Sequence, residues 1–176
     1  MRSVWSLDRD LAYARHYPAV SWRDSSSRDA EQLAVWQAEQ GDPDWGERRA
    51  RGLRLLADAD RIESIAQLVG ADSLPAQERV TLRAARLLRE AVLQQSAVLD
   101  NDQYTSPAKQ RALLELVLDV HDRLSALVDR GAPIAQVEAF DLEPLLRARY
   151  DTPPDGVVDV ERIGRDLLAA LNGLGK

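Results

Sequence analysis

The two histidines, His16 and His121, are the first places to look for acid–base or metal chemistry. They stand far apart in the chain and lack ligand-type spacing. His121 falls among acids, Asp119 and Asp122, in the middle of a helical pattern, which suits a structural or solvated role. Carboxylates are plentiful, at 29 Asp and Glu, yet none is paired in an apolar setting of the kind that raises a pKa. The absence of Cys excludes disulfides and thiolate–metal sites. None of the nine glycines belongs to a Gly-x-x-x-x-Gly-Lys-Ser/Thr pattern, so there is no backbone cradle for a triphosphate. The residues alone therefore describe no self-contained active site. They describe a soluble, acidic, helical interaction domain or one piece of a larger enzyme.

The elements that would position any such chemistry are organised around Asp58 to Asp100. Leu55, Ala59, Ile62, Ala66 and Val69 fall near helical spacing and form an apolar stripe. Gly70 follows, where a helix can end in the left-handed region without a steric penalty. Pro75 suits the first turn of a second helix, where its missing N–H has no intrahelical partner to lose. Val80, Ala84, Leu87 and Ala91, with Leu88 beside them, make the second stripe. Two apolar faces joined by so short a turn predict an antiparallel helical hairpin.

The chain has 176 residues, enough for one domain with a real core. Hydrophobic residues are 45% but aromatics only 5%, so the core must be mostly Leu, Val, Ile and Ala, which favours helices. A net charge of −6 argues against a general affinity for nucleic acid. No apolar run has the length to span a membrane, and the N-terminus lacks a signal-peptide core. These features predict a cytoplasmic, all-α protein.

In chain order, Met1 to Leu7 is a strand or the lead-in to a helix, with at most one short strand expected, near Val4. Ser6 or Asp8 is placed to cap a short helix reaching about Tyr17, and Pro18 ends it. Trp22 to Arg28 is a serine-rich loop. Asp29 to Gln40 is helical, with Leu33, Val35 and Trp36 as its apolar residues. Asp44 is a plausible cap for a long helix from about Trp45 into the hairpin. Its basic stretch, Glu47 to Arg54, reads as a solvated face. Leu99 to Ser106 is a polar connection, and Ser106-Pro107 is a strong helix start. Leu113, Val117, Val120, Leu124 and Leu127 then make a clean stripe, closed by Gly131. Ile134 to Phe140 holds one or two turns, Asp141 is placed to cap a helix to about Tyr150, Thr152 to Gly156 is a loop, and Asp159 to Leu171 is the last helix.

Three stretches carry a resemblance. HYPAVSW at His16 to Trp22, RIESIAQLVGADSL at Arg61 to Leu74 and LLREAVLQQSAV at Leu87 to Val98 resemble, in order and spacing, segments of the catalytic A subunit of V/A-type rotary ATPases. RARY at Arg147 to Tyr150 fits near that subunit's C-terminus. The resemblance covers nearly the whole chain but only the C-terminal part of the subunit.

What it implies is an all-α helical bundle built on the antiparallel hairpin, with a short extended N-terminal segment. Residues 1–28 would be the end of the nucleotide-binding domain plus a connecting loop, and 29–176 the C-terminal helical domain. An excised domain or a truncated gene product is expected. The implied role is to close the adenine side of the nucleotide site. Tyr17 resembles the family's adenine-stacking aromatic; Gln95, Ala97 and Val98 match the far wall, where Val98 replaces the family's Phe. No catalytic residue and no metal ligand is implied here. ATP or ADP with magnesium would belong to the parent subunit, and the isolated chain is expected to hydrolyse nothing and to bind nucleotide weakly or not at all. Implied partners are the nucleotide-binding domain of the same subunit, the non-catalytic B subunits and the central rotor shaft, with no nucleic acid and no direct membrane insertion. The turn Ala71 to Glu78 would face the shaft; with only Asp72 and Glu78 as acids, it would make contact by shape and apolar packing. The location would be cytoplasmic, peripheral to the membrane in the rotary complex. Two alternatives stay open: a free-standing helical protein-binding adaptor, and the equivalent domain of an F-type β subunit, which HYPAV and SSSR also resemble. Gln94-Gln95 and Trp22 favour the V/A type.

Overall fold

The computed structural model describes residues 3–174 of the chain; Met1 and Arg2, where the expected N-terminal segment begins, lie outside them. The architecture is all-α apart from one small antiparallel ribbon. Helices α1 (Arg9–Tyr13), α2 (Ala30–Glu39), α3 (Trp45–Val69), α4 (Ala76–Leu88), α5 (Pro107–Asp129), α6 (Ile134–Ala139), α7 (Glu143–Asp151) and α8 (Val157–Gly173) follow one another along the chain. Strand β1 (Ser3–Val4) pairs with β2 (Ser26–Ser27), in the register Ser3 with Ser27 and Val4 with Ser26. The expectation of at most one strand is thus corrected. The partner comes from the serine-rich loop, which carries no alternating apolar pattern and is held by backbone pairing and by the Ser3–Ser27 hydroxyl contact at 3.0 Å.

The hairpin forms as its stripes predict. Helix α3 runs to Val69, and Gly70 follows with φ 88° and ψ 142°, which a Cβ would strain. A 3-10 turn, Ala71–Ser73, leads to Pro75, which occupies the cap position one residue before α4. Helix α4 lies between α3 and α5, and α8 covers the other side of α5. The core follows from the stripes: Leu55, Ala59 and Ile62 on α3; Val80, Ala84, Leu87 and Leu88 on α4; Leu113, Val117, Val120, Leu124 and Leu127 on α5 are all buried. Leu145, Ala148, Val160, Leu167 and Leu171 close the bundle from α7 and α8.

Three local expectations are corrected. The first helix stops at Tyr13 rather than near Tyr17, because the chain reverses at Arg15, whose φ is 58°. Asp44 stands at the cap position of α3 but makes no capping bond. Val69 is exposed at the end of α3, beside Leu68, while Leu74 past the turn is buried in its place. Helix α2 forms within the expected stretch, and its apolar residues Leu33, Val35 and Trp36 are exposed, since it packs mainly on α3.

Candidate functional site

The site begins at α1. Asp8 caps this helix, its Oδ1 accepting the N–H groups of Asp10 at 2.8 Å and Leu11 at 3.2 Å. Beyond Arg15 the chain turns back beside its own lead-in: Asp8 N donates to Ala19 O at 2.9 Å and Ser21 N to Ser6 O at 2.8 Å. This fold-back buries His16 and leaves Tyr17 53% exposed. The Tyr17–Pro18 peptide bond is cis. His16 meets Trp22 edge-on, with centroids 5.9 Å apart. Burial pushes the His16 imidazole below its ordinary pKa, the Arg149 and Arg89 cations add to that, and Glu90 opposes it.

The opposite side is built where α4 ends. Arg89–Leu93 form a single π-turn, and the backbone leaves it extended at Gln94 (φ −76°, ψ 141°). The Arg89 guanidinium lies 5.3 Å over the Trp22 ring and pairs with Asp60 at 3.0 Å and Glu63 at 2.6 Å, both on α3. The next residue along the extended segment meets the first side of the site: Gln95 N donates to Tyr17 O at 2.7 Å. Gln94 Nε2 reaches Arg15 O at 3.4 Å.

Of the residues expected from the sequence, the structure therefore joins Tyr17 and Gln95 directly. Ala97 and Val98 follow on the same segment and face solvent, Val98 at 88% exposure. Pro18, Trp22, Gln94 and Gln95 border a groove of about 900 Å³ that continues between α2, α3 and the start of α5 past Trp36 and Trp45. Among the described residues no cluster of His, Asp or Glu has the arrangement to hold a metal ion.

Three charged residues beneath the segment carry no such expectation from the sequence. Asp102 is 1% and Lys109 0% exposed. Arg149 Nη1 donates to Asp102 Oδ2 and to Gln94 O, each at 2.7 Å. Lys109 Nζ donates to Arg149 O at 2.8 Å and Thr152 O at 2.9 Å. Desolvation pushes the Lys109 ammonium down in pKa, and Asp102, Asp155 and Asp159 oppose it. The spacing does hold a signal: Lys109 lies four residues before Leu113 on the α5 stripe, and Arg149 four residues after the buried Leu145.

Two further readings change. Arg48, within the basic stretch read as solvated, is buried, bonded to Asp42 and 3.3 Å from Glu115 of α5. Arg49 and Arg54 are exposed as expected. Asp119 is pushed up from its ordinary value by partial desolvation and by Asp122 beside it, with Arg51 and Arg123 opposing, so one carboxylate does carry an upward shift. His121 is pushed down, by burial first. Among the described residues, no helix is long and apolar enough to cross a membrane.

Taken together, the hairpin-centred bundle and the extended segment bonded to Tyr17 define an all-α helical domain. Residues 34–137 match the model of the family described as the C-terminal domain of V and A type ATP synthase, and the chain belongs to that family. It is similar to the A subunit of the A-type ATP synthase of Halobacterium salinarum, 37% identical over 155 residues, covering 88% of this chain and 26% of the relative. It is similar to the A subunit from Haloferax volcanii, 38% identical over 174 residues, covering 99% and 30%. The V-type ATP synthase alpha chain of Nitrosococcus oceani is 42% identical over 149 residues, covering 85% and 25%. The chain thus spans 25% to 30% of the length of these relatives. The V/A assignment, rather than the F-type or adaptor alternative, is the one these matches favour.

Proposed function

We propose that the chain serves as the C-terminal domain of the catalytic subunit of a V/A-type rotary ATPase, where it closes the adenine side of the nucleotide site and meets the central rotor shaft. The observation that carries this reading is the 2.7 Å bond from Gln95 N to Tyr17 O. It unites two stretches, distant in sequence, that the resemblance assigns separately to the same base pocket. Tyr17 stays half exposed, which leaves its ring available for stacking, a contact worth about 0.5–1.5 kcal/mol beyond area burial. Gln95, Ala97 and Val98 would form the far wall. The sequence carries no Gly-x-x-x-x-Gly-Lys-Ser/Thr pattern to cradle phosphates, so the triphosphate and its magnesium would be held by the nucleotide-binding domain of the same subunit, and this chain alone would not turn over ATP.

The rotor contact would be made at the hairpin tip. Leu68 is 86% exposed and Val69 is exposed beside it, an apolar end with few charges, which supports contact by shape and packing. Neighbouring B subunits would complete the ring. The assembly would sit in the cytoplasm at the membrane surface, and ion transport would be a property of the whole complex.

The test is the Michaelis constant for ATP in the full-length subunit carrying Tyr17→Ala. A rise in KM with kcat little changed supports the base-wall role; an unchanged KM with a lower Tm refutes it.

A further inference from the structure

The Gln94–Val98 segment has no helix or strand to hold it, so its position depends on a few named bonds. Arg149 Nη1 directs both hydrogens to it, one straight to Gln94 O and the other, through Asp102 Oδ2, to Ser96: that same carboxylate oxygen accepts the Ser96 N–H at 2.7 Å. Between these two anchored residues lies Gln95, whose own N–H reaches Tyr17 O. Displacing Gln94 or Ser96 therefore displaces the residue that meets Tyr17. The arginine is itself fixed from behind, because its carbonyl oxygen accepts from the buried Lys109 ammonium.

These are charge-assisted bonds in a water-poor setting, where they are stronger than neutral ones and costly to break singly. Arg149 Nε is buried with no hydrogen-bond partner among the described residues, so the guanidinium is oriented by its Nη1 acceptors while another of its donors goes unmatched. Of its two acceptors, Gln94 O belongs to the segment and Asp102 Oδ2 holds the segment's Ser96 N–H, so both bonds converge on the residues that flank Gln95.

We propose that Arg149 is a positioning residue for the nucleotide-base pocket: through Gln94 and the Asp102–Ser96 link it sets where Gln95 and the wall after it stand relative to Tyr17. The proposal rests on the base-pocket reading above. Arg149 itself does not reach the base. Its variants are thus expected to act on nucleotide affinity and base choice, with the phosphate chemistry left alone.

The test compares Arg149→Met with Arg149→Lys, whose ammonium can serve both acceptors from one nitrogen on a shorter reach. In this chain, amide hydrogen exchange at Gln95 and Ser96 should speed up by about tenfold or more in Arg149→Met while amides of α4 and α5 change by less than about twofold. In the full-length subunit within its complex, Arg149→Met should raise KM for ATP about threefold to tenfold with kcat within about twofold, and should narrow the preference for ATP over a pyrimidine nucleoside triphosphate. Arg149→Lys should fall between it and the parent, and decides the matter if Arg149→Met does not fold. Unchanged protection at Gln95 and Ser96 would overturn the positioning role. So would lost protection with a parental KM and base preference, in a protein where Tyr17→Ala does raise KM; the cluster would then be structural only. If Tyr17→Ala leaves KM unchanged, the base-pocket reading itself fails and this role for Arg149 fails with it.

Discussion

Gly164 of α8 lies so close to Leu116 of α5 that a Cβ at position 164 would stand 3.0 Å from Leu116 Cδ1. Leu116 is buried, so it has little room to withdraw. The glycine is what lets the last helix lie flat on the central one. Gly164→Val should destabilise the fold by about 1–3 kcal/mol, the usual cost of overpacking a filled core. Gly164→Ala should cost less, because a single methyl asks Leu116 to shift only slightly. Urea denaturation of the two variants checks the order; a Val variant as stable as the parent would mean that α8 can move off α5 freely.

Leu87 and Leu124 mark the α4 and α5 faces of the same core, at 3% and 0% exposure. Leu87→Ala or Leu124→Ala should each cost about 2–5 kcal/mol. Melts shifted by less than about 1 kcal/mol would show that the surrounding side chains collapse into the space.

The expected pH dependence is set by His16. Burial holds its imidazole below its ordinary pKa in the folded chain, with Arg149 and Arg89 adding to the shift and Glu90 opposing it. The unfolded chain takes up that proton near about pH 6.5, while the folded chain does not until lower pH. In that window the unfolded state binds more protons, so stability falls as pH falls and levels off below the folded value. His121 is shifted the same way and adds to the slope. Denaturation midpoints measured from about pH 8 down to about pH 5 should decline. His16→Phe keeps the edge-on contact with Trp22 but cannot titrate, and should flatten the decline. An equal slope in His16→Phe assigns the effect elsewhere.

How much of this is legible in the sequence can be followed at the helix starts. Of Ser6 and Asp8, either of which could cap α1, Asp8 does, and Ser106 caps α5 as its Ser-Pro start suggests, accepting the Lys109 N–H at 3.2 Å. Both have extended backbones, with ψ of 120° and 149°, which turn the side chain back over the first turn. Asp44 has the same chemistry but a ψ of 2°, which carries its carboxylate away from the exposed N–H groups. Residue type is visible; that dihedral angle, set by the preceding turn, is not. The core stripes of α3, α4 and α5 are legible because helical periodicity reports burial directly. The Asp102–Lys109–Arg149 cluster is not, because charged residues in a polar connection look solvated until the fold encloses them. The pairing of Tyr17 with Gln95 is approached only through resemblance, since backbone hydrogen bonds leave no mark on residue type.

For the base wall, Tyr17→Ala in the full-length subunit should raise KM for ATP more than it lowers kcat. Stacking lies far from the reacting phosphate and contributes alike to ground state and transition state, so its loss appears mainly in KM. Tyr17→Phe should be nearly silent. Val98→Phe, restoring an aromatic wall, should lower KM. Steady-state kinetics with ATP and with a nucleotide of smaller base check all three; parental KM in Tyr17→Ala with a Tm several degrees lower would make Tyr17 a packing residue.

The guanidinium of Arg89, stacked on Trp22 and paired with Asp60 and Glu63, has a mechanical meaning. It binds the N-terminal fold-back to α3 about 14 Å below the helix end at Val69, counting about 1.5 Å per residue from Asp60. Fold-back residues Asp8, Leu11 and Trp22 also border α3 at Asp60 and, on the tip side of that point, at Glu63 and Gln67. A sideways push on the hairpin tip thus has a fulcrum at Arg89. A tilt of the hairpin as one body carries Trp22, and the turn holding His16 and Tyr17, along with it, or else parts the Arg89 guanidinium from the Trp22 ring.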